Sequence, residues 1–233
     1  MLDVKEEQKF KQLKKLGHEL HIPTIEAFIE LEVFDKDGKS IQRHKQRSHS
    51  WVRNAYNVLF STLACKNGSD AAPFAGGRLN WKSTAGAIAN PATPLYPANQ
   101  SVDGVGTKGF RATAGSASWG IQVGSGVNVE DFEDYVLQTP IAEGAGAGQL
   151  NYAAVEAFVI TYVVLTLTNT IVRYLNNNSG GAIDVNEVGI IFGQFIGTIN
   201  HALFSRDHLG VTVTVPDTGQ LKVTYTIELT YPA

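Results

Sequence analysis

Thr24-Ile25-Glu26-Ala27-Phe28-Ile29-Glu30-Leu31-Glu32-Val33-Phe34 is the stretch on which the reading of the fold turns. Glu26, Glu30 and Glu32 share one parity, and Ile25, Ala27, Ile29, Leu31 and Val33 take the other. A period of two with one apolar side predicts a strand whose one face is buried and whose other face is polar. Asp35-Lys36-Asp37-Gly38 follows as a turn, with glycine where positive φ is tolerated. Residues 39–50 return as a polar strand carrying Lys39, Arg43, Lys45 and Arg47 without an acid. Lysine-rich polar strands are used at exposed sheet edges to resist unwanted pairing.

Working outward, residues 3–20 read as a helix, with Leu13, Leu16 and Leu20 at helical spacing among lysines and Pro23 beyond its end. So polar an arm cannot hold itself together alone. It docks either on this domain or on another subunit. Residues 51–63 read as a short helix with a stripe of Val52, Ala55, Tyr56, Leu59 and Leu63, and Ser50 as its N-cap. Residues 66–109 are rich in Ala, Gly, Pro, Asn and Ser and show no period. A loop of that length is expected to be an extended arm ordered by neighbours, anchored by Trp81, Leu95 and Tyr96.

From residue 110 the pattern is strands and turns: 118–124, 150–158, 160–174, 187–193, 200–206, 211–215 and 221–231, with one or two helical turns at 130–138. Asn176–Gly181 and Pro216–Gly219 are the clearest turns. Many short strands at such spacing predict a mainly β chain, an antiparallel β-sandwich of jelly-roll-like form. The expected organisation is a helical arm over 1–22 and one sandwich domain over 23–233, with an insertion at 66–109.

The chain has 233 residues and a net charge of -3, unevenly spread. Residues 1–53 hold 11 basic and 9 acidic side chains, residues 54–109 hold 4 and 2, and residues 110–233 hold 4 and 11. Either each part simply has its own solvated face, or the basic front and acidic back let neighbouring copies attract one another. The single cysteine, Cys65, excludes an internal disulfide and a cysteine-rich zinc site. The charged start has no signal-peptide h-region, and the apolar run 157–165 is too short for a membrane helix, so synthesis in a reducing cytosol is expected. In that setting the three Asn-X-Ser matches are chance.

No motif carries chemistry. Gly104–Gly109 matches GxGxxG but lacks the strand before and the helix after that phosphate binding requires. Asp35–Gly38 opens like a calcium loop but meets Gln46 where the twelfth-position Glu belongs. Glu130, Asp131, Glu133 and Asp134 read as a solvated acidic face. His201, Ser205, Asp207 and His208 suggest a hydrolase, yet no GxSxG elbow is present. Four residues on a strand separate His201 from Ser205 by roughly 13 Å, too far for a base and its nucleophile. Arg43, Lys45 and Arg47 form the best basic patch, on one strand face, but the negative total argues against a dedicated nucleic-acid binder. No catalytic, metal or cofactor site is expected.

Two runs carry a resemblance. The first is Trp119–Gly126 with Asp131, Asp134, Tyr135, Leu137 and Gly148–Tyr152; the second is Ile183–Ile190 with Leu203–Asp207 and Val223–Ile227. Their order resembles tailed-bacteriophage virion structural proteins of the capsid, neck or tail. That resemblance implies a non-enzymatic β-sandwich building block that forms a ring, trimer or shell with copies of itself and other virion proteins, assembled in the host cytoplasm. On this reading Leu13, Leu16, Leu20, Trp81 and Tyr96 are the candidate subunit contacts, and Arg43, Lys45 and Arg47 a candidate electrostatic contact. The alternative is a carbohydrate- or receptor-binding module at a tail tip, needing an aromatic platform from Trp81, Tyr96 or Trp119.

Overall fold

Residues 24–34 form β1 (Thr24–Phe34), turn through Asp35–Gly38, and pair antiparallel with β2 (Ser40–Ser48) in a computed structural model that describes residues 4–64, 72–74, 77–78, 80–89, 109–196 and 198–232. Asp35 makes the turn: its Oδ1 accepts from the amides of Asp37 and Lys39, both at 2.9 Å, and Gly38 has φ of 77°. Before β1 lies α1 (Val4–Glu19). It ends when His21 takes φ of 56° and the Ile22 amide reaches the Gly17 carbonyl at 2.8 Å, a Schellman closure.

After β2 come α2 (Arg53–Ala64), β3 (Ala72–Phe74), β4 (Gly77–Arg78), β5 (Trp81–Lys82) and β6 (Ile88–Ala89). The remaining strands are β7 (Gly120–Gly124), β8 (Asn151–Tyr152), β9 (Val159–Val163), β10 (Thr166–Asn176), β11 (Ile183–Ile196), β12 (Thr198–Val215) and β13 (Gln220–Thr230). One sheet runs β2-β1-β13-β10-β8, with β9 also on β10; the second runs β12-β11-β7; both are antiparallel. β2 does lie at the sheet's end, as its lysines and arginines suggested.

The two sheets share one core. Ala27, Ile29, Leu31 and Val33 from β1 join Val223 and Tyr225 from β13, and meet Ile121 and Val123 of β7, Val188 of β11 and Val213 of β12. Each such aliphatic side chain, fully buried, contributes roughly 1.5–3 kcal/mol of transfer free energy. The mainly β, two-sheet antiparallel architecture is therefore the one the alternation predicts. β2 also closes one side: Gln42 donates to the Thr212 carbonyl and Gln46 to the His208 carbonyl, stitching the edge of one sheet to β12 of the other.

Three expectations are corrected. The 200–206 and 211–215 segments are one strand, β12, whose register against β11 shifts at Ile190/Ile191 and Val185/Glu187. The 130–138 stretch is not helical but a coil. In the helical stripe Val52 and Ala55 are buried as expected, but among the described side chains of α2 Asn54 and Val58 are buried as well, while Tyr56, Leu59 and Phe60 are exposed; the Leu63 side chain lies outside the described residues. The α1 face that meets the sheet holds Glu7, Phe10, Lys14 and Gly17, leaving Leu13, Leu16 and Leu20 exposed on its flank. Gly17 is needed there, because a Cβ would sit within 3 Å of both the Thr24 side chain and the Ile22 carbonyl. No helix among the described residues is long and apolar enough to cross a membrane.

Candidate functional site: a histidine and two carboxylates where the sheets meet

At Ser48 the chain leaves the first sheet and crosses to the second. Trp51 bridges Ser205 on β12, the Val52 amide donates to the Phe204 carbonyl at 3.0 Å, and the Arg206 amide donates to the Ser50 carbonyl at 3.2 Å. This crossing places Ser48, His49 and Ser50 beside Asp207 of β12 and Tyr225 of β13.

A directed hydrogen-bond chain results. The Trp51 Nε1–H donates to the Tyr225 hydroxyl (3.0 Å), and Ser48 Oγ donates to Asp207 Oδ2 (2.8 Å). The remaining contact, 2.6 Å between Tyr225 and Ser48, must then run from tyrosine to serine, since the serine proton is already committed. Asp207 Oδ1 also accepts from the His49 amide at 3.2 Å. Burial pushes the Asp207 pKa up to about 7, against the opposing effects of the Ser48 hydrogen bond and His49. Burial, reinforced by Asp207, likewise raises Tyr225.

The outer end of this chain is more open. His49, Glu130 and Asp207 bring one ligand atom each within 4.8 Å of one another. His49 Nδ1 lies 3.8 Å from Glu130 Oε1, and its Nε2 lies 3.9 Å from Glu6 Oε1 on α1. Ser50 Oγ donates to Glu130 Oε1 at 2.7 Å. His49, Ser50, Trp51, Glu130 and Phe132 line an open cleft of about 460 Å³.

Glu130 stands where it does because residues 125–139 are tied down from below. Glu187, fully buried on β11, accepts from the amides of Gly126, Gln138 and Thr139 and from Arg206 Nε. Arg206 in turn donates to Asp134 and to the carbonyls of Asn128 and Val129. The acidic cluster is thus not a plain solvated face: Asp134 pairs with Arg206, Glu133 with Arg53 and Glu130 with Ser50.

The sequence-derived candidates are scattered. Arg43 binds Glu30 at 2.5 Å, Lys45 lies 4.0 Å from the same carboxylate, and Arg47 is buried. Arg47 bonds Glu26 and Glu7 and stacks between Phe10 and Phe28, with ring centroids 4.0 and 4.7 Å from its guanidinium carbon. These three share a face, as alternation predicts, but they pair within the chain. Trp81 is fully buried, 6.1 Å from Phe192 between ring centroids, and its strand is held by reciprocal bonds between Asn54 and Lys82. Tyr96, Leu95 and most of Gly104–Gly109 lie outside the described residues. Trp119 is also buried.

His201 and Ser205 do not meet. His201 packs edge-on to Trp119 at 5.1 Å, its Nε2 without a hydrogen-bond partner among the described residues. Burial lowers its pKa from 6.5. The unfolded chain therefore takes up this proton first, and stability supplied by neutral His201 is present above pH 6.5 and lost as pH falls through it. Asp207 acts with the opposite sign: raised from 3.8 to about 7, it favours the fold in acid and loses that contribution as pH rises through 7. Comparing wild type with His201→Phe cancels the Asp207 effect. In urea titrations the variant should lose less stability than wild type between about pH 7 and about pH 5; equal slopes would exclude His201 as the source.

The histidine–carboxylate cluster was invisible in the spacing, since its members come from a strand end, a coil and a distant strand. Parity offered only a partial hint: Asp207 shares its side of β12 with the buried Ser205 and Leu209, whereas the register shift at Ile190/Ile191 turns the buried Leu203 to the other side. No family model, curated protein or solved structure matches the chain.

Proposed function

We propose that the chain is a non-enzymatic structural subunit that assembles with copies of itself, as the virion resemblance implies. The observation that supports this most is the edge formed by β9. All five of its residues are exposed, Val159, Ile160, Tyr162 and Val163 at 57–66%, and the tip residue Val164 at 83%. Among the described residues β9 pairs only with β10. An edge without lysine, proline or bulge is a template for another strand, and solvent exposure of so apolar a ribbon is costly unless something covers it.

The tip adds to the argument. The two-residue loop Val164–Leu165 has positive φ, 57°, at its first position alone, as in a type II′ turn where glycine is the ordinary occupant. A β-branched residue there costs about 1–3 kcal/mol, a strain that suits contact better than folding. A second copy is the occupant that fits. Antiparallel pairing about a two-fold at Thr161 sets Ile160 opposite Tyr162 and Val159 opposite Val163, aromatic and β-branched pairs that stabilise sheets. A two-fold contact closes at a dimer; the exposed Leu13, Leu16, Leu20 stripe of α1 is the second surface that a ring or shell requires. The carbohydrate-platform alternative loses Trp81 and Trp119, which have no exposed face to offer.

Light scattering across the micromolar range, with negative-stain microscopy, tests this. Wild type should form closed oligomers, and the double variant Ile160→Lys/Val163→Lys, at exposed positions, should fall to smaller species with an unchanged circular dichroism spectrum. A wild-type chain that stays monomeric at all concentrations would overturn the reading.

A further inference from the structure

We propose that His49, Glu130 and Asp207 form a binding site for a zinc-class divalent metal ion that clamps the two sheets and the 125–139 coil together. The three side chains supply one imidazole nitrogen and two carboxylate oxygens, all within 4.8 Å of one another. Tetrahedral zinc with bonds of about 2.0–2.2 Å spaces its ligand atoms roughly 3.4 Å apart. The His49 Nδ1 to Glu130 Oε1 separation of 3.8 Å is already close to that. Asp207 is the fixed member, fully buried in β12, while His49 and Glu130 are partly exposed and can swing the remaining distance. His49 and Glu130 also line the open cleft beside Phe132, from which water can reach the ion.

The surroundings are those of a metal centre rather than of an ordinary ion pair. Metal-binding carboxylates and imidazoles are oriented by outer hydrogen bonds. Here Ser48 Oγ holds Asp207 Oδ2, Ser50 Oγ holds Glu130 Oε1, and Glu6 lies 3.9 Å from the far nitrogen of His49. The Ser48 bond is itself backed by Tyr225 and Trp51. A fully buried aspartate facing a second carboxylate calls for positive charge, and no lysine or arginine ion pair reaches it among the described residues; His49 is the basic group beside it. Imidazole with carboxylates selects zinc-class ions over calcium or magnesium, which prefer all-oxygen shells. The site is independent of the β9 edge, so its failure leaves the assembly reading untouched.

The test uses the full chain, stripped with a chelator and titrated calorimetrically with zinc, with calcium and magnesium as comparators. One zinc per chain should bind, far more tightly than calcium, and should raise the melting temperature. Because loss of an outer partner alone costs about 10–100-fold in affinity, Ser50→Ala should weaken zinc by about tenfold or somewhat more, and His49→Ala and Glu130→Gln each by more than about 100-fold. Both main variants alter partly exposed side chains, so circular dichroism should confirm an unchanged fold. X-ray absorption at the zinc edge should report nitrogen and oxygen ligands. Zinc uptake that His49→Ala leaves unchanged, sulfur ligation, or no zinc binding at all would each overturn the proposal and leave His49 as a plain ion-pair partner of Glu130.

Discussion

Replacing Arg173 by methionine is expected to destabilise the protein by about 3–5 kcal/mol, enough to unfold much of a marginally stable population. Arg173 is fully buried on the inner face of β10 and has no carboxylate bonded to it among the described residues. Its guanidinium instead donates to five carbonyls: Ala153 (2.9 Å), Trp119 (3.1 Å), Ile121 (2.9 Å), Thr113 (3.3 Å) and Ser116 (2.6 Å). The Tyr152 ring lies 4.7 Å from the guanidinium carbon. Burial pulls the pKa down to about 10, so the group stays charged at neutral pH, its charge balanced by carbonyl dipoles. Methionine fills much of the same volume, so the loss reports stranded acceptors rather than a cavity. Each buried acceptor left unpaired costs about 1–3 kcal/mol, reduced where the loop relaxes toward water. Lysine is the informative control. It keeps the charge but offers three donors at one point, so it should recover only part of the loss. Urea midpoints with unchanged slope measure both variants, and a methionine variant within about 1 kcal/mol of wild type would refute this account.

What could be read from the sequence divides along a physical line. β1 was legible because one side of it is buried from Ala27 to Val33, and burial writes a period of two, although Ile25 at the start of that side is exposed. The same pattern misjudged Glu26. It does point outward, but α1 lies over it, so that it is buried against Arg47 and Lys14. α1 itself was legible as a helix, whereas its docking face was not, because charge pairs and Gly17 set that face while the leucines, the only obvious stripe, stayed exposed. β12 looked like two strands because Asp207, His208 and Gly210 fall between the two apolar patterns, yet Asp207 is buried against Ser48, far away in the chain, and both Asp207 and His208 pair with β11. The candidate site fails to show for the same reason. Its three members lie at positions 49, 130 and 207, and only tertiary pairing brings them within 4.8 Å.

The second large effect is expected at Glu187, whose carboxylate organises the coil that presents Glu130. Oε1 accepts from the amides of Thr139 (2.8 Å) and Gly126 (3.3 Å); Oε2 accepts from the Gln138 amide (3.0 Å) and Arg206 Nε (2.7 Å). Arg206 extends the grip to Asp134 Oδ2 (2.8 Å) and to the carbonyls of Asn128 (2.9 Å) and Val129 (3.3 Å). Burial works against the arginine's charge, but its hydrogen bonds to Glu187 and Asp134, with their negative charges, outweigh it and hold its pKa above the ordinary value. Glu187→Gln preserves shape yet turns one oxygen into a donor facing donors, and it leaves a buried guanidinium without its nearer counter-charge. Breaking one side of a buried pair costs about 3–5 kcal/mol, whereas replacing both partners by apolar groups is often far milder. Glu187→Gln should therefore cost about 3–5 kcal/mol, and Glu187→Met/Arg206→Met less than the sum of its single changes, a positive coupling in a double-mutant cycle. The coil distinguishes this from general weakening. Amides of residues 125–139 should lose hydrogen-exchange protection before those of β1 and β13, since Glu187 and Arg206 bond the coil's backbone directly at five residues, whereas β1 and β13 are held by strand pairing. Zinc affinity should fall with it, because Glu130 would no longer be held opposite Asp207. Uniform loss of protection across both sheets, with the coil no worse than β1, would show that Glu187 supports the sandwich as a whole and not the site.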